Sequence, residues 1–321
     1  MSHRATYVLG GPHAYRSTTE SWGAIGLDLD LLAGPEVLVP LLEERTAPAA
    51  GFPSADDSVE AGVLADPRGK VLLTFAWEAA AASMHTRAAA LELLRLAWPD
   101  WEVRWSYDGQ TGRRSYLGLD PEDDHSFQGP PLACPPLGPD DEETAEPDPL
   151  AQVVTIGADR CHVLAATADH PLAEGPSVVE RLRDAPRHQV YRAAAEGGIH
   201  IDPDRRRVGW WLVGAQEHPA RLASRWPGWT VEFWADRWDE HVLACGGRFE
   251  PPAADRAAAL AAVRDAALER WAGPRRDARG AVVAAAPDAL VGLGFPPAVT
   301  TARAAAARRV VEAAYLAAAG R

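Results

Sequence analysis

The chain has 321 residues, 47% of them apolar and 24% charged, with a formal net charge of −13. At about 150 residues per domain the length suggests two domains, and the composition is that of an ordinary globular protein. Collagen-like, wholly disordered and disulfide-scaffold classes are thereby excluded. No run approaches the about 18 apolar residues of a membrane span, and Met1-Ser2-His3-Arg4 lacks the layout of a signal peptide. Three scattered cysteines (Cys134, Cys161, Cys245) make no disulfide framework. A bacterial cytoplasmic protein with reduced thiols is the expectation, the bacterial source resting on heavy Ala and Arg usage beside the lone Lys70.

In chain order, Thr6-Tyr7-Val8-Leu9, closed by Gly10-Gly11, reads as a strand. The apolar run Trp22 to Leu32 follows and finds no place in a simple unit. Pro35 opens a helix with Val37, Leu38, Leu41 and Leu42 on one face, shortened or kinked by Pro40. Two strands then flank Asp66-Pro67-Arg68-Gly69, where Asp accepts backbone hydrogen bonds and Pro presets the turn. Thr86 caps a second helix bearing Leu91, Leu93 and Leu94. The strand 102–107 then alternates Val103, Trp105 and Tyr107 with polar residues.

This pattern recurs. Gly34-Pro35 matches Gly175-Pro176, Gly62 to Pro67 matches Gly198 to Pro203, and Trp98-Pro99-Asp100-Trp101 matches Trp226-Pro227-Gly228-Trp229. Asp108 and Asp236 continue the last block in register. The order of matched blocks is preserved, so the expected fold is α+β, a tandem duplication of a β-α-β-β-α-β (ferredoxin-like split) unit with an antiparallel four-stranded sheet. Residues 1–119 would be the first copy and 151–252 the second. Residues 253–321 would form an Ala-rich helical appendage, with Asp255 capping a helix that runs to Trp271. The stretch 120–150 holds ten acidic residues, eight prolines and no base, leaving 35 acids against 32 bases elsewhere. It predicts an extended, mobile acidic linker. Over a short span, Leu290 to Phe295 with Val311 to Leu316 resembles ubiquitin-associated-type three-helix modules, without their usual methionine, and no expectation is built on it.

Local catalytic signatures are absent. There is no Gly-x-Ser-x-Gly elbow, no phosphate loop, no Cys-x-x-Cys and no His-x-x-x-His. Cys161-His162 would point to opposite faces of a strand, and His241 and Cys245 are read in a strand-like stretch where they lie too far apart for one metal. Neither metal nor cofactor is expected. Nucleic acid is disfavoured by a slightly acidic body with only small basic clusters such as Arg205-Arg206-Arg207. The paired tryptophans of the Trp-Pro-x-Trp blocks read as scaffold. The unpaired ones (Trp22, Trp77, Trp211, Trp234, Trp238) read as a possible surface for another protein, with Trp211, Trp234 and Trp238 as anchors. The favoured expectation is a non-catalytic protein-binding chain, of inhibitor, immunity or regulatory-adaptor character. The alternative is an enzyme with a cleft between the copies, using His13, Asp108, Asp236 and His241.

Overall fold

The computed structural model describes residues 3–48, 59–76, 80, 83–120, 132–138, 151–166, 169–214, 219–273 and 299–321. Trp77, most of the acidic stretch and the 290–295 segment lie outside them. The chain divides into two compact units. One comprises Met1–Ala82, Thr86–Ser126 and Asp255–Arg321; the other comprises Ser83–His85 and Phe127–Ala254.

Unit 1 is built on a mixed sheet in the order β3-β2-β1-β4-β5-β6. Its strands are β1 (Ala5–Gly11), β2 (Ala14–Glu20), β3 (Ala47–Pro48), β4 (Ala61–Asp66), β5 (Val71–Ala76) and β6 (Glu102–Trp105). β1 runs antiparallel to β2 and parallel to β4, β4 antiparallel to β5, and β5 parallel to β6. The expectation of a sheet antiparallel throughout is therefore corrected. Each helical crossover sets its two strands side by side as parallel neighbours and leaves no gap for another strand to fill. β2 was invisible to an apolar-pattern search because Ala-Tyr-Arg-Ser-Thr-Thr-Glu is polar; it forms by zipping onto β1 through the whole of its length.

The Trp22–Leu32 run becomes a loop followed by the one-turn α1 (Leu27–Leu31). The helix α2 (Pro35–Arg45) runs through Pro40, and α3 (Arg87–Ala97) follows β5. Both cover the sheet face that carries Tyr7, Val63 and Leu72. The opposite face, with Val8, Leu64 and Leu73, packs against Leu117 at the end of α4 (Gln110–Tyr116). The C-terminal helices α8 (Arg256–Arg270) and α9 (Thr301–Ala319) are not an appendage. Leu260, Val263, Trp271, Ala307 and Val311 are buried in the same core as α3. Alanine makes this possible, because side chains of one carbon let α9 approach α3 and α8 closely. Asp255 caps α8 by accepting from the Ala258 amide, as its position before the helix leads one to expect.

Unit 2 repeats the strand arrangement, in the order β12-β11-β10-β8-β9-β7. Here β8 is Ala151–Ile156, β9 Arg160–Ala165, β10 Gly197–Asp202, β11 Arg207–Leu212 and β12 Thr230–Phe233. The pairing senses are those of β1, β2, β4, β5 and β6 taken in turn. Short helices α5 (Ser177–Arg181), α6 (Pro219–Ser224) and α7 (Trp238–Ala244) complete the unit. From the acidic stretch, β7 (Pro136–Leu137) pairs with β9, so these residues belong to the sheet.

One contact recurs in both units. The Trp98 indole N–H donates to the Leu31 carbonyl at 2.7 Å, and the Trp226 indole to the Leu172 carbonyl at 2.8 Å. Each indole also meets its Trp-Pro-x-Trp partner edge-on, at 4.8 Å for Trp101 and 5.0 Å for Trp229. Beside them, Gly34 and Gly175 have φ of 74° and 66°, and a Cβ on either would stand 2.6 Å from the carbonyl oxygen of Ala97 or Arg225. Trp98→Ala and Trp226→Ala should each cost about 3–5 kcal/mol, as deletion of a large buried aromatic does. Chemical denaturation of each variant measures it, and a loss below about 1 kcal/mol would contradict the anchoring role.

Candidate functional site

Among the described residues, the loop between β2 and α1 exposes two large apolar side chains close together in sequence. Trp22 is 48% exposed and Ile25 is 49% exposed. The turn beneath them is tightly held. Tyr7 Oη donates to the Gly23 carbonyl at 2.8 Å, and the Ala24 amide donates to the His3 carbonyl at 3.0 Å. A Cβ at Gly23 would lie 2.5 Å from the Tyr7 hydroxyl, so this close approach needs glycine. The His3 ring lies 5.8 Å from the Trp22 ring, and its Nδ1 stands 3.0 Å from Glu60.

Below the loop is a layer of ion pairs. Arg270 grips Asp30 with two hydrogen bonds of 2.9 Å, reaching from α8 to α1. Arg45 pairs with buried Glu20 at 3.1 Å and lays its guanidinium over the Tyr7 ring at 4.1 Å. Burial pushes the Glu20 carboxyl up, and Arg45 opposes that push. Burial likewise drives the Tyr7 hydroxyl well above its ordinary value. Removing one member of such a pair leaves a buried charge uncompensated, which is far costlier than losing an exposed pair. The loop thus rests on supports that are costly to remove singly.

Asp28 lines a small cavity with Leu31, Leu32, Thr74, Ala90, Leu94 and Trp105, and accepts a hydrogen bond of 2.8 Å from the Ala80 amide. Desolvation raises its pKa to about 6, with the Ala80 amide pulling it back. A carboxyl whose folded-state pKa is raised stabilises the fold fully below its unfolded value of about 3.9. That contribution is lost as pH rises through the folded pKa. Asp28→Asn keeps an acceptor and removes the charge. The variant should therefore be more stable than the parent at pH 7.5, with the difference shrinking towards pH 4.5. Thermal melts at both values test this, and a pH-independent difference would contradict it.

The tryptophans expected as exposed anchors lie elsewhere. Trp211 and Trp234 are buried in the core of unit 2, and Trp238 is half-buried against it. The reason is local: a Cβ at Gly209 would lie 1.8 Å from the Trp234 indole, so the missing side chain makes room for that ring on the sheet. His241 is wholly buried on α7, a helix where a strand-like stretch was expected. Both of its ring nitrogens are engaged, Nδ1 with the Trp211 indole at 2.9 Å and Nε2 with Thr155 Oγ1 at 2.7 Å. Asp108 and Asp236 are half-buried just before α4 and α7, and His13 is exposed in the β1–β2 turn. The structure thus puts His13 and Asp108 in one unit, Asp236 and His241 in the other.

In unit 1 the place of His241 is taken by Arg113. Each stands over a glycine of the second core strand: a Cβ at Gly62 would lie 2.1 Å from Arg113, and one at Gly198 would lie 2.7 Å from the Val153 carbonyl oxygen and 3.1 Å from His241. Arg113 donates to the Thr6 carbonyl at 3.0 Å and lies 4.9 Å over the Phe75 ring. Burial lowers its pKa to about 9, against the pull of Asp108. Sequence reading missed Thr155 and His200, whose side chains meet at 2.9 Å. Their signal is polar residues in strands where unit 1 has Val8 and Leu64 at the matching register.

Comparison with family models, curated proteins and solved structures finds no match for this chain. Among the described residues, no helix is long and apolar enough to cross a membrane, and no three of His, Cys, Asp or Glu are grouped to hold a metal ion.

Proposed function

We propose that this chain is a non-catalytic binding protein that meets another protein through Trp22 and Ile25. The observation that carries the reading is their joint exposure on a loop whose backbone is already fixed. A partner covering them gains the burial of a large aromatic without ordering the loop, and such preorganised aromatics are where binding energy concentrates. The part-buried Arg270–Asp30 pair and the Arg45–Glu20 pair then serve as the mount.

The same reading takes the two units as copies of one ancestral α+β unit. It is supported by the shared pairing senses, the recurrent Trp-to-carbonyl bond and the two glycines beside it. The loop is then a first-copy elaboration, since in the second copy a shorter connection joins β9 to the Pro171–Glu174 turn. Inhibitor, immunity or adaptor proteins of a bacterial cytoplasm have this physical character, though the likeness rests on no motif. The enzyme alternative gains no observation that draws His13, Asp108, Asp236 and His241 together.

A partner recovered with the full chain from extracts of its host should lose affinity about 30-fold for Trp22→Ala, equivalent to about 2 kcal/mol. The isolated exposed Leu243, replaced by Ala, serves as control and should change little. Calorimetric titration of each variant, with melting temperatures matched, gives the answer. Unchanged affinity of Trp22→Ala would overturn the assignment.

A further inference from the structure

Four side chains of unit 2 form a single hydrogen-bonded line from the core to half-buried His200: Trp211, His241, Thr155, His200. Its direction is fixed at the core end. An indole nitrogen only donates, so His241 Nδ1 accepts. Burial, with a smaller push from His200, lowers the His241 pKa to about 3, so the ring is neutral and its hydrogen sits on Nε2. That hydrogen goes to Thr155 Oγ1. Taking the threonine hydroxyl's own hydrogen to His200 Nδ1 leaves the His200 hydrogen on Nε2.

We propose that this line is an acid-operated catch, holding α7 on the sheet while His200 is neutral and releasing it when His200 takes up a proton. A protonated His200 has no lone pair at Nδ1. Its Nδ1–H and the His241 Nε2–H then both point at Thr155 Oγ1, and the hydroxyl hydrogen loses the acceptor it had. α7 has only seven residues, too few to persist without its packing. His241 ties it to the sheet, so slackening the line frees the helix and uncovers Trp211, Trp234 and Phe249.

The charged groups facing His200 are Asp202 on its own strand, Arg207 on β11, Glu232 on β12 and His241 on α7. Arg207 and Glu232 stand 3.5 Å apart, and Asp202 holds Arg205. Burial keeps His200 below its ordinary value, with Asp202 pulling the other way. For a histidine so depressed, the stabilisation is complete above its unfolded value of about 6.5 and fades as pH falls towards the folded value. Unit 1 provides an internal control. α4 carries Arg113 at the matching place, and Val8 and Leu64 stand where Thr155 and His200 do.

Hydrogen exchange of the full chain at pH 7.5 and 5.5, corrected for intrinsic rates, should show α7 amides exchanging more than about tenfold faster at the lower pH, since opening exposes both His241 and His200, and α4 amides unchanged. His200→Asn keeps an acceptor at Oδ1 and cannot titrate, so it should cut the rise several-fold, leaving only the part that His241 contributes when α7 opens. In the unaltered protein, nitrogen NMR should find His200 as the Nε2–H tautomer at pH 7.5, with the Trp211 indole signal moving at the His200 midpoint. Equal protection of α7 at both pH values, a rise of undiminished size in His200→Asn, or an Nδ1–H tautomer would each overturn the proposal.

Discussion

The indole that ends the second crossover and bonds back to the end of the first helical segment is the constraint on which each unit depends. Trp98 and Trp226 lie where the chain leaves a helix and turns into the last strand. The indole N–H is a donor that cannot stay unpaired in an apolar core, so it must find a carbonyl. The carbonyls it finds, on Leu31 and Leu172, belong to the segment before the first crossover helix. One bond therefore fixes where both helical layers sit on the sheet. The glycines at 34 and 175 follow from it, because the backbones then pass too close for a Cβ.

The opposite face of each sheet tolerates more change. Arg113 and His241 fill corresponding places over a glycine, yet one is a cation and the other a neutral ring. The two use what the strands offer in different ways. Arg113 uses the Thr6 carbonyl and the Phe75 ring, whereas His241 uses Thr155 and Trp211. A backbone carbonyl is available whatever the side chains are, but the His241 arrangement needs Thr155, Trp211 and His200 together.

Charge follows the same logic of place. The Asp30–Arg270 pair joins residues 240 apart in sequence and ties the C-terminal helices to the first turn of the fold. Neither residue stands out in a chain with 45 acids and 32 bases. Their meaning comes from being drawn together under a loop that exposes Trp22 and Ile25.

What the amino-acid sequence determined by itself is local or repeated. The Asp66 and Asp202 turns, the Asp255 cap and the alternation in the strands need only neighbouring residues to be read. The matched Trp-Pro-x-Trp blocks declared the likeness of the two halves before any contact was known. Tertiary structure alone decided the rest. β2 has a polar sequence and exists because β1 offers a free edge. The alanine-rich C-terminal helices are core because α3 presents a surface that only small residues can approach. Trp211 and Trp234 are buried and Trp22 is not, though all are the same residue type, because burial is a property of the facing surface. Gly209 leaves a space for one ring, and nothing in the described structure covers the other.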